Sequence, residues 1–141
     1  MASLRKEIDV EAPAAAVWDA VRDFPRAHPR LFPGVLLASR AEEGGRSVRF
    51  ANGLELRERL VACDEAQRRL VYAAVGGRTS HHNSSLQVLE LGPRRSRVVW
   101  ITDFLPDTLA GSIAGLVELG AADMKRALEA APGAPLSGAA A

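Results

Sequence analysis

Residues 107–129, DTLAGSIAGLVELGAADMKRALE, decide how the rest of this chain is read. Leu109, Ile113, Leu116, Val117, Met124 and Leu128 recur at three- and four-residue steps, the spacing that puts side chains on one face of an α-helix. Small Ala110, Ala114, Gly120 and Ala127 fill in between, and the charges Glu118, Asp123, Lys125, Arg126 and Glu129 fall mostly beside the stripe. Asp107, following Pro106, suits an N-cap because its carboxylate accepts from the first free backbone amides. Ala131-Pro132-Gly133 then stops the helix. Such a helix is far longer than the globular mean of about 11–12 residues. An amphipathic rod of that length, coming after strand-like sequence, needs a sheet to lie on.

The preceding chain supplies one. Ser3 to Glu11 sets Leu4, Ile8 and Val10 among charges, a first strand. Ala12-Pro13 opens a short helix with Val17, Trp18, Val21 and Phe24 on its apolar side. Pro25, Pro29 and Pro33 then break the segment into a second short helical piece or loop. From Val35 onwards strand follows strand: Val35–Glu42, Arg46–Ala51, Leu54 onwards, Leu70–Val75, Ser80–Leu91 and Arg97–Phe104. Glu43-Gly44-Gly45, Asn52-Gly53, Gly76-Gly77 and Gly92-Pro93 provide the turns. Hairpin spacing predicts an antiparallel meander, so the expected class is α+β.

Composition narrows the function. With 18 basic and 17 acidic residues the net charge is +1, which gives no general attraction to nucleic acid or anionic membrane. The longest uncharged stretch is too short to span a bilayer, and charges follow the N-terminus at once, so the expected location is cytoplasmic. The one cysteine, Cys63, lies in the apolar run Leu60-Val61-Ala62 and is expected to be a buried, inert thiol. One domain over residues 1–131 with a flexible Pro/Gly/Ala-rich tail over 132–141 is expected.

Glu7-Ile8-Asp9-Val10-Glu11-Ala12-Pro13, followed by Ala16-Val17-Trp18-Asp19-Ala20-Val21-Arg22-Asp23-Phe24, resembles the START/Bet v 1-like (SRPBCC) superfamily. The likeness is strongest to its polyketide cyclase/dehydrase and lipid-transport group. Arg69-Leu70-Val71-Tyr72, Ser96-Arg97-Val98-Val99-Trp100 and Asp103-Phe104-Leu105-Pro106 continue it. The resemblance implies a helix-grip fold: a seven-stranded antiparallel sheet wrapped round the last helix, two short helices after the first strand, and a cavity between sheet and helix. Because the group shares no universal catalytic motif, fold alone does not assign chemistry.

Candidate site residues come from strand parity. In His81-His82-Asn83-Ser84-Ser85, adjacent side chains face opposite ways, so at most one histidine enters a cavity. Leu86 and Val88 would take His82 and Ser84 inward; Leu89 and Leu91 have the other parity, and a bulge would reverse the assignment. Trp100 and Thr102 share one face, as do Leu70 with Tyr72 and Val48 with Phe50. With Leu116 of the helix they make an apolar wall carrying a few polar groups, the usual composition of a small-molecule site. Glu58, flanked at two-residue spacing by Leu56 and Leu60, is a possible base if inward, its pKa raised unless a cation reaches it; exposure on a bent or edge strand is the commoner outcome. The resemblance places His28 near the cavity mouth, with surface exposure as the alternative. The histidines' opposed faces and the single thiol argue against a metal, and no phosphate loop or nucleophile motif occurs, so no cofactor is expected.

Two functions share this architecture. In the first, the cavity folds an apolar, oxygenated molecule while His82 or His81, with Glu58, moves protons in a cyclisation or dehydration. In the second, the same wall carries or senses a lipid-like ligand without turnover. A hydrophobic small molecule is the expected partner in both, and a homodimer is possible.

Overall fold

The computed structural model describes residues 2–26 and 28–130. The chain runs β1 (Ala2–Val10), α1 (Ala14–Arg22), a 3₁₀ turn (Phe24–Arg26), α2 (His28–Leu31), then β2 (Leu36–Glu42), β3 (Gly45–Phe50), β4 (Glu55–Asp64), β5 (Arg69–Val75), β6 (His81–Gly92) and β7 (Arg95–Leu105). A second 3₁₀ turn (Asp107–Leu109) leads into α3 (Ala110–Ala130). The seven strands form one antiparallel sheet in the order β1-β7-β6-β5-β4-β3-β2. This is the helix-grip arrangement. The tail assigned to residues 132–141 lies outside the described residues, and so does the helix stop at Ala131-Pro132-Gly133.

Alternation along each strand creates the core. Leu70, Leu86, Val88, Val98 and Phe104 are at most 3% exposed, and α3 adds Val117, Met124 and Leu128 from its stripe. Each large side chain so buried contributes roughly 1.5–3 kcal/mol. The rod is tied to the edge strand β1 by Lys6 Nζ to Glu118 Oε1 (2.9 Å) and by Lys125 Nζ to the Asp9 carbonyl (2.6 Å). At its start, Pro106 holds the cap position of the 3₁₀ turn and its carbonyl accepts from Leu109 N at 3.1 Å, so Asp107 sits inside the first turn instead of preceding it.

Three further sequence expectations change. Cys63 is exposed: it lies in the last stretch of β4, residues 59–64, which is exposed on both parities, with Leu60 38% and Val61 56% exposed. Partial desolvation still pushes the Cys63 thiol up, so it is a poor nucleophile. Glu58 is buried, not exposed. Asp123, one of the charges expected beside the apolar stripe, is 4% exposed and accepts from Gly34 N (2.8 Å) and Val35 N (2.9 Å). It clasps the connection between α2 and β2 onto α3. Asp123→Ala leaves both amides without that acceptor and is expected to cost about 2–4 kcal/mol in urea unfolding. Asp123→Asn keeps one acceptor oxygen and is expected to lose less.

Candidate functional site

Sheet and α3 do not close completely. Between them lies a partly open, mostly apolar pocket of about 160 Å³. Phe50, Tyr72, Trp100 and Leu116 contribute its apolar surface, and His82, Ser84, Thr102 and Glu58 its inward polar groups. Parity explains the selection. His82, Ser84 and Leu86 alternate inward on β6 and face Phe104, Thr102 and Trp100 across the β7 ladder. His81 stands on the opposite, exposed face and takes no part in the pocket. The register shift in β6 falls between Glu90 and Gly92, beyond the histidines, and so does not reverse them. The side chain of His28 lies outside the described residues.

Glu58 is not free. Its Oε1 accepts from Arg46 Nε (2.9 Å), Arg46 Nη2 lies at 2.8 Å, and the two side chains are 8% and 4% exposed. Arg46 also donates to the Phe24 carbonyl at 3.1 Å and stacks its guanidinium 4.3 Å from the Phe24 ring centroid. Arg46 was not among the sequence candidates, although a signal for it existed. It shares the parity of Val48 and Phe50, and Glu58 is its partner across the β3–β4 ladder.

The other polar groups keep unused capacity. Ser84 Oγ and Thr102 Oγ1 are 2.8 Å apart, in a mutual hydrogen bond. His82 Nδ1 and Trp100 Nε1 are buried without a hydrogen-bond partner among the described residues. Such groups are costly unless something completes them. Burial holds the His82 imidazole below its usual pKa against the opposing pull of Glu58, so it is neutral at pH 7. Burial, reinforced by the Glu58 charge, pushes the Tyr72 phenol well above its usual range, keeping it a protonated donor. The Tyr72 and His82 rings lie 6.5 Å apart between centroids. One wall therefore presents a neutral imidazole beside O–H and N–H donors.

Gly120 sets how closely the helix approaches. A Cβ there would lie 2.9 Å from Trp100 Cη2 and 3.1 Å from Cζ3. Gly120→Ala gains about 1 kcal/mol of helix propensity. Displacing a packed indole costs about 1–3 kcal/mol. The expected result is a lower urea midpoint together with a changed near-UV signal from Trp100. An unchanged Trp100 signal would count against this packing.

No helix among the described residues is long and apolar enough to cross a membrane. Residues 1–131 match the family described as polyketide cyclase / dehydrase and lipid transport. No curated protein matches the chain. A solution structure from Thermobifida fusca is 34% identical, with 91% of each chain covered and a TM-score of 0.71. Norcoclaurine synthase from Thalictrum flavum, solved as a point mutant with a transition-state analogue, shares the fold at 17% identity and TM-score 0.68, covering 90% of this chain and 93% of its own. The di-domain ARO/CYC BexL from the BE-7585A biosynthetic pathway does so at 18% identity and TM-score 0.77, covering 92% of this chain and 47% of the longer protein.

Proposed function

Because the chain belongs to the polyketide cyclase/dehydrase and lipid-transport family, we propose that it takes an apolar, oxygenated small molecule between sheet and α3 and promotes its cyclisation or dehydration by proton transfer. The observation that carries this reading is a pair of buried nitrogens, His82 Nδ1 and Trp100 Nε1, that make no well-formed hydrogen bond among the described residues, on one pocket wall with the protonated Tyr72 phenol. A ligand carbonyl accepting from Trp100 N–H and Tyr72 O–H is polarised towards its enolate. Neutral His82 accepts the proton from the adjacent carbon, and the enolate carbon attacks a second carbonyl of the same molecule, forming a carbon–carbon bond and an alkoxide. The imidazolium returns its proton to that alkoxide. Removal of a further α-proton with departure of the hydroxyl as water completes a dehydration. No oxidant or metal enters this balance. Glu58, its Oε1 engaged by Arg46, serves as a fixed charge beside His82 and not as the base.

A carrier or sensor is the second reading, favoured by the apolar lining and by that engaged carboxylate. The test presents a linear poly-β-ketone thioester to the wild type and to His82→Gln, following both binding and product. Binding retained with cyclised product lost supports the enzyme. Equal binding by both proteins and no product above background leaves the carrier. No binding by either overturns both readings.

A further inference from the structure

Among the described residues, three charged side chains line the pocket: Arg46, Glu58 and Arg78. The first two neutralise one another in a buried pair. Arg78 is different. It is exposed, sits in the turn between β5 and β6 behind Gly76 (φ +86°) and Gly77 (φ +72°), and has no ion-pair partner among the described residues. Positive φ at these two positions is readily adopted only by glycine, so the turn that sets Arg78 at the rim depends on both. Thr79 and, on α3, Ser112 also line the pocket.

We propose that Arg78 anchors a carboxylate on the ligand, so the preferred occupants are amphipathic: an apolar body in the pocket and an anionic end at the rim. The inference rests on the ligand-binding reading above. A charge deep in an apolar pocket carries a heavy desolvation cost, whereas a rim guanidinium stays hydrated until an anion meets it. Guanidinium matches carboxylate in a two-pronged geometry, and the hydroxyls of Thr79 and Ser112 are further donors in the pocket lining. The interior has no uncompensated positive charge to compete, so the anion's preference sets which end of the ligand stays outside.

The probes are naphthoate and its methyl ester, titrated into the full chain by calorimetry at low and high salt. The wild type is expected to bind naphthoate about fivefold more tightly than the ester, a margin that shrinks as salt rises. Arg78→Gln is expected to bring the two probes to the same affinity. Arg94→Gln, in the β6–β7 turn, carries the same change of net charge and is expected to keep the preference. Equal binding of both probes by the wild type, or an undiminished preference in Arg78→Gln, overturns the inference while leaving ligand binding intact. Failure of both probes to bind counts against the pocket reading itself, and this inference falls with it.

Discussion

Arg46→Met is expected to lower the stability of this protein by about 3–5 kcal/mol, the usual cost of removing one partner from a buried ion pair. Arg46 and Glu58 approach to 2.8 Å with almost no access to water. Without the guanidinium, the Glu58 carboxylate is stranded against the pocket wall, and the Phe24 carbonyl loses its donor. Glu58→Leu is expected to cost a similar amount by stranding the cation. The double replacement Arg46→Met/Glu58→Leu removes both charges and is expected to recover most of the loss, because apolar groups of similar volume suit the site. A double-mutant cycle in urea reads the coupling directly. Single substitutions costing under about 1 kcal/mol would show that the pair is effectively solvated.

His82→Gln is expected to reduce turnover by about 10²–10⁴-fold if the imidazole acts as general base, with ligand affinity changed far less. The pH dependence identifies the group. Its folded pKa is lowered by desolvation, with Glu58 opposing and His81 assisting, from an ordinary value near 6.5. The unfolded chain therefore binds a proton on this side chain at a higher pH than the folded one. The resulting stability is fully present above about pH 6.5 and is lost as pH falls through the folded value. His82→Gln is expected to flatten that acid limb of the stability curve. In the wild type, kcat/KM is expected to fall only as pH drops through the lowered folded value, where the base becomes protonated. An acid limb of kcat/KM that persists unchanged in the residual activity of His82→Gln would remove His82 from the mechanism.

The divide between legible and hidden features follows particular residues. Trp100, Thr102, Tyr72, Phe50 and Ser84 were readable as inward-facing because each shares a parity with apolar neighbours on its own strand. His82 was readable only as one of two choices, since the sequence does not show where β6 is bulged. The register places the irregularity at Glu90/Gly92, far enough along to leave the histidines undisturbed. Glu58 was visible, yet its burial depended on Arg46, a residue on another strand whose charge suggested solvent. Asp123 was hidden in the same way. Its acceptors' partners, Gly34 and Val35, lie far away in sequence and meet it only when α3 crosses the connection into β2. A short apolar run such as Leu60-Val61-Ala62 reads as core wherever it stands, and only the fold shows that the end of β4 carrying Cys63 is uncovered on both parities.

What the sequence determined by itself was the order of elements, the antiparallel sheet, the long terminal helix and most of the apolar pocket wall. Those features depend on periodicity and turn chemistry, which act between residues close along the chain. Tertiary structure alone decided that Arg46 neutralises Glu58, that the His82 and Trp100 nitrogens find no partner among the described residues, that Asp123 fastens the helix, and that Arg78 lines the pocket. Each of these depends on the register between strands and on the few ångströms between sheet and helix. Charge pairing and desolvation change steeply over such distances, while the local pattern of residues stays the same.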